Sequence, residues 1–203
     1  MTRLERRVGP IGTGSADHPL SVVSLGVGPG VDLVGVLSWA SEVARDNGES
    51  AFVALRGIDT ESGWESTARG VIEAYVKPRA DTLKASFEFS TVTAGVRSWL
   101  READLVIASL VWSELVGQQR VAEYWTAISN LLSSGSRMVV IERKEQRIDD
   151  LIRGFLRATP RLSLVAHYED PGDWIGFIYP DEVKKVFSPR TTYDYLSYLV
   201  RVE

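Results

Sequence analysis

Three glycines at alternate positions, Gly26, Gly28 and Gly30 in VVSLGVGPG (residues 22–30), close a short apolar run and lead into residues with helical spacing. A strand that turns through glycine into a helix start can hold a small ligand, because a backbone without a Cβ takes positive φ and approaches a bound molecule closely. The helix N-terminus adds unpaired N–H groups and a partial positive charge, which suit a carboxylate or another anion. Two common ligands are disfavoured by the spacing. A dinucleotide fingerprint needs its third glycine three residues after the second, and counted from Gly26 and Gly28 that position holds Val31. A phosphate-cradling P-loop needs Gly-Lys followed by Ser or Thr, a tripeptide that this chain lacks.

What remains is G-x-G-P-G followed closely by Asp32, and it resembles the first motif of class I S-adenosylmethionine (SAM)-dependent methyltransferases, whose glycine turn holds the amino-acid end of the cofactor. AFVALRGID (residues 51–59) resembles the second strand of that fold, which ends in the acid that hydrogen-bonds the ribose; Asp59 is the matching position. ADLVIASLVWSEL (residues 103–115) resembles the fourth strand and loop of methyltransferase-like proteins of mitochondrial ribosome assembly. MVVIERKEQRIDDLIRGF matches a fifth strand and helix, so the likeness covers roughly residues 20–160. The chain has no cysteine and so departs from the cysteine cluster of those ribosome-assembly relatives; an RNA target is not implied. The fourth strand leads into Ser109, Leu110, Val111 and Trp112 rather than an Asn-Pro-Pro-Tyr type signature, which disfavours methylation of an exocyclic base nitrogen.

The resemblance implies a Rossmann-like α/β fold: a seven-stranded, mostly parallel sheet with helices on both faces and an antiparallel seventh strand between the fifth and sixth. Ligands of such sheets bind beyond the carboxyl ends of the strands, where the strand order switches. Cofactor contacts are accordingly expected from Gly26, Val27, Gly28, Gly30, Asp32, Asp59, Thr91 and Ser109, with Ser90 nearby. Trp112 and Glu114 follow the fourth strand, where a methyl acceptor would meet the cofactor. A tryptophan face binds cationic or aromatic groups, and a carboxylate accepts a proton or pairs with an amine. Each position also has a plainer use. Asp32 and Asp59 can cap helices, Trp112 can pack in the core, and Glu114 can serve as a first-turn charge. Glu142 reads as a surface ion pair, His167 as a hydrogen-bonded histidine, and Arg143, Lys144 and Arg147 as a solvated helix face.

The elements needed to hold these residues are legible from periodicity. Leu33, Leu37, Ala40 and Ala44 mark a helix over about 31–46 that stops at Asn47-Gly48; Trp64, Ala68, Val71, Ile72 and Tyr75 mark the next. Residues 83–92 alternate as a strand, Val96, Trp99 and Leu100 mark a short helix, and residues 119–133 form the clearest amphipathic helix, closed by Gly135. Ile148, Leu151, Ile152, Phe155 and Leu156 form another helix, with strands expected at RLSLVAHY and YLSYLVRV. Residues 169–194, rich in aromatics, read as an elaborated connection that suits a substrate pocket or a homodimer seam.

With 203 residues, 44% of them hydrophobic and 25% charged, the chain suits one domain over 20–203, preceded by a flexible arm at 1–19. It has no apolar run of the roughly 20 residues that span a bilayer and no signal-peptide core, so a cytoplasmic location without membrane contact is expected. Two histidines and no cysteine make a metal site improbable, and a formal charge of −4 gives no global attraction to nucleic acid. Two functions follow: a SAM-dependent methyltransferase whose acceptor is a small molecule, RNA or protein, or a non-catalytic Rossmann-like module that binds SAM or a partner protein. A nicotinamide-dependent reductase is a distant third.

Overall fold

A computed structural model of the chain describes residues 12–91, 96–117, 121–170 and 194–203. Seven strands form one sheet: β1 (Leu20–Leu25), β2 (Ala51–Ile58), β3 (Leu83–Ser90), β4 (Leu105–Ser109), β5 (Arg137–Arg143), β6 (Leu162–Asp170) and β7 (Tyr195–Val202). Their order is β3-β2-β1-β4-β5-β7-β6, with β7 antiparallel to both neighbours and the other pairings parallel. The antiparallel placement of β7 between β5 and β6 is what the resemblance implied. The chain leaves β1 toward β2 on one side and returns to β4 on the other, so the topological switch lies at the carboxyl end of β1.

The helices are α1 (Val31–Asn47), α2 (Trp64–Val76), α3 (Val96–Glu102), α4 (Val111–Leu115), α5 (Val121–Leu131) and α6 (Gln146–Ala158). β1 carries apolar residues on both of its faces. Leu20 and Val22 join a core cluster with Leu33, Leu37 and Ala40 of α1, while Val23 and Leu25 join a second cluster with Trp125 of α5 and Ile148 and Ile152 of α6. A central strand covered on both faces needs apolar residues on each, since successive side chains point to opposite sides, and only Ser21 and Ser24 interrupt the pattern here. α1 ends at Gly48 with φ 70°, whose N–H turns back to Arg45 O, as the Asn47-Gly48 pair predicted.

Two expectations need correction. Residues 12–19 are not a free arm: Thr13 is buried and its carbonyl accepts the Phe52 N–H at 2.9 Å, so this stretch is tied to β2, while 1–11 lie outside the described residues. Trp64 and Leu151, assigned to buried helical stripes, are 40% and 38% exposed. Trp64 begins its helix and Leu151 stands toward a groove between α5 and α6, so among the described residues neither has a neighbouring element to cover it. The 169–194 connection falls almost wholly outside the described residues, and with it any account of its aromatics. No described helix is long and apolar enough to cross a membrane.

Candidate functional site

The strand registers bring the expected site residues to one level. Leu25 of β1 pairs with Ile58 of β2 and Ala108 of β4, and Ile58 pairs with Ser90 of β3. The next residue on each strand is therefore Thr91, Asp59, Gly26 or Ser109, laid out across four adjacent strands over roughly 14 Å at the ordinary interstrand spacing. That is a shelf for an elongated ligand lying across the switch point.

The glycine turn is clamped from β2. The N–H groups of Gly26 and Val27 both donate to Ile58 O, at 2.8 and 3.1 Å, and the Gly30 N–H donates to Val27 O at 2.9 Å. Asp59 completes the clamp: one carboxylate oxygen accepts the Gly28 N–H at 2.9 Å and the other accepts the Glu61 N–H at 3.0 Å. Asp59 is therefore not the cap of α2, whose N-cap is Gly63. It ties the first loop of the shelf to the second.

The three glycines serve different ends, although all have positive φ (64°, 46° and 81°). A Cβ on Gly26 would stand 2.9 Å from Val111 Cγ2, and one on Gly30 would stand 3.3 Å from Ala68 Cβ. Those two are small because protein packs against them. A Cβ on Gly28 would meet nothing within 4 Å among the described residues. The surface over Gly28 is open, which is what a cradle for a ligand requires.

Two expected contacts go elsewhere. Val27 is buried, its N–H is taken by Ile58, and its side chain fills the space left by Gly57, where a Cβ would lie 2.9 Å from Val27 Cγ1. It belongs to the core rather than to the shelf. Trp112 is only 2% exposed, stacked on Trp125 with ring centroids 4.5 Å apart and tilted against Phe155. Burial of so large an apolar ring outweighs any use of its face for an acceptor. Glu114 is exposed in the first turn of α4.

Asp32 lies beneath the turn, receiving the hydroxyl of the fully buried Ser24 on one oxygen and the Leu33 N–H, at 2.8 Å, on the other. Burial pushes its carboxyl above the usual carboxylate range, against the pull of those donors. Of its two expected roles, these bonds fit bracing the helix start. Thr91 accepts the Ser90 hydroxyl on its carbonyl at 2.9 Å, beside Asp59, whose N–H reaches Ser90 O at 3.2 Å.

Glu142 is the residue that sequence reasoning misplaced. It is fully buried, and one carboxylate oxygen accepts the N–H groups of Trp112 at 2.6 Å and Ser113 at 3.3 Å. Burial raises its pKa, opposed by the donors around it. A signal was present: Met138, Val140 and Glu142 share the buried face of β5 at period two. Ahead of these N–H groups Leu110 takes φ 61°, the one positive-φ non-glycine among the described residues, held by its N–H to Ile141 O at 2.8 Å and by the Ser113 hydroxyl to its carbonyl at 2.9 Å. His167 is half-buried, 3.1 Å from Arg153 and stacked near Tyr198, as a structural histidine would be. Lys144 pairs with Glu169 at 2.8 Å, and Arg143 and Arg147 are exposed.

Two cavities lie away from the turn. A groove of about 640 Å³ floored by Trp112 and Phe155 lies between α5 and α6, and a polar cavity of about 540 Å³ lies among Ser21, Arg56 and Asp104 at the amino ends of the strands.

The antibiotic-resistance methyltransferase Kmr superimposes with a TM-score of 0.53 over 100% of this chain and 94% of its own, at 15% identity. The precorrin-6y C5,15-methyltransferase of Geobacter metallireducens gives 0.51 over 89% of this chain and 79% of its own, at 12% identity. The chain shares the fold of these two methyltransferases. The precorrin 8W decarboxylase of Methanobacterium thermoautotrophicum shares it too, with a TM-score of 0.52 over 98% of this chain and 87% of its own, at 12% identity. No protein-family model and no curated protein matches the sequence.

Proposed function

We propose that the chain is a SAM-dependent methyltransferase. The observation that carries this is the open face of Gly28: a backbone bend whose N–H is anchored by Asp59, with nothing where a Cβ would stand. A carboxylate or amine-bearing tail fits against such a bend at a helix start. Gly26, Gly28 and Gly30 shape that bend and Asp32 braces it from below. Asp59 has a second lone pair on each oxygen and can accept ribose hydroxyls without releasing its backbone donors. Thr91 and Ser109 flank the shelf on the outer two of its four strands. SAM supplies an electrophilic methyl group on a sulfonium, so the chain's own task is to align an acceptor and exclude water, and it needs no nucleophile of its own. Glu114 is the exposed carboxylate on the acceptor side, suited to pairing with an amine or taking its proton.

A second reading, a non-catalytic SAM-binding module, is favoured by a different observation. Trp112 is withdrawn into the core and Glu142 is engaged with backbone, which thins the acceptor wall of reactive groups. Calorimetry with SAM, S-adenosylhomocysteine and NAD separates both readings from a reductase. Binding of SAM and S-adenosylhomocysteine but not NAD is the expected result, and NAD binding alone would overturn both readings. Labelled-methyl transfer to extracted RNA, protein and metabolites then separates enzyme from binder and identifies the acceptor class.

A further inference from the structure

We propose that Glu142 is a positioning residue of the cofactor site, acting through the backbone of Trp112 and the side chain of Val111; this rests on the SAM-binding reading of the glycine turn. The connection is contiguous. Glu142 holds the N–H groups of Trp112 and Ser113 from the end of β5, and Val111, the residue before them, presses its Cγ2 to 2.9 Å from where a Gly26 Cβ would be. Gly26 in turn hangs from Ile58 O by its N–H. The position of the bend thus depends on two supports, β2 on one side and the segment after β4 on the other.

That second support does not hold itself. α4 has five residues and begins from Leu110 in the left-handed region, a conformation that resists a side chain and persists only where surroundings enforce it. Ile141 O and the Glu142 carboxylate, consecutive groups of one strand, supply the enforcement. A fully buried carboxylate is costly to keep for packing alone, and here its second oxygen has no hydrogen-bond partner among the described residues. Its two backbone bonds are charge-assisted, the stronger kind, and they offset that cost where a neutral apolar side chain could not fix the loop.

The test uses the full chain, calorimetry with S-adenosylhomocysteine, and thermal unfolding. Glu142→Gln retains an acceptor oxygen at the same reach and should bind within a few-fold of the parent. Glu142→Ala should bind about tenfold more weakly, in the usual range of coupling between sites, at a temperature where it is fully folded. Adding Val111→Ala to Glu142→Ala should then cost little more than the larger single loss, because both act on one contact. Should Glu142→Ala fail to fold, Glu142→Asp, one methylene short of the loop, takes its place with the same expectation. Parent-like affinity in the folded Ala or Asp variant, or additive losses in the double variant, overturns the proposal while leaving the SAM reading intact. A parent chain that binds no S-adenosylhomocysteine overturns both.

Discussion

Replacing Gly28 and Gly30 separately by alanine tests whether the open bend, rather than the glycine content of the loop, makes the site. Both residues have positive φ, 46° and 81°, so each alanine carries a backbone penalty of about 1–2 kcal/mol. At Gly28 that is the whole cost, because the new methyl meets nothing within 4 Å. For a chain of this size the melting temperature should fall by about 2–8 °C. At Gly30 the methyl also stands 3.3 Å from Ala68 Cβ, where α2 packs against the start of α1, and overpacking adds about 1–3 kcal/mol. Gly30→Ala should therefore be the less stable variant. Binding should run the other way. The Gly28 methyl occupies the space assigned to the ligand and should weaken S-adenosylhomocysteine binding on the order of 100-fold, as a misplacement of about 1 Å can. Gly30→Ala, measured well below its melting point, should stay within about threefold, since its methyl faces α2. Thermal unfolding and calorimetry on the two proteins decide the matter. Undiminished binding by Gly28→Ala, or equal losses of binding in both variants, would refute the placement of the ligand over Gly28.

Asp59→Ala removes the acceptor for the Gly28 and Glu61 N–H groups and should weaken S-adenosylhomocysteine binding at least about tenfold by calorimetry, while lowering stability by only about 1–2 kcal/mol in urea unfolding. Asp32 has a raised pKa in the folded chain, so the native state binds more protons than the unfolded state above the ordinary aspartate range, and its contribution to stability falls as pH rises through that window. Asp32→Asn should remove that fall, so its stability relative to the parent should rise as the pH increases from about 4 in urea titrations; a constant difference would contradict the buried carboxylate. Gly154 lies inside α6 with nothing near a built Cβ, so Gly154→Ala should raise stability by about 0.5–1 kcal/mol and leave cofactor binding unchanged; a lower melting temperature would mean that something occupies the groove.

Local chemistry in the chain was enough to locate the glycine turn, most of the helices and the strand over residues 83–92, while β2 with Asp59 at its end, β4 and β5 were placed by resemblance. Each of the former is written in neighbouring residues: a stripe at helical spacing, an alternation, a glycine where the backbone must reverse. The antiparallel seventh strand came from resemblance, because pairing across a sheet joins residues far apart in the chain. Only the folded molecule could distinguish Gly28, open to a ligand, from Gly26 and Gly30, which are small to admit Val111 and Ala68. The same holds for Trp112, which the core claims by stacking on Trp125, and for Glu142, whose buried carboxylate meets backbone N–H groups about thirty residues away. Which side chain faces a ligand and which faces protein depends on what packs alongside it, and packing is decided between segments that the chain brings together only when it folds.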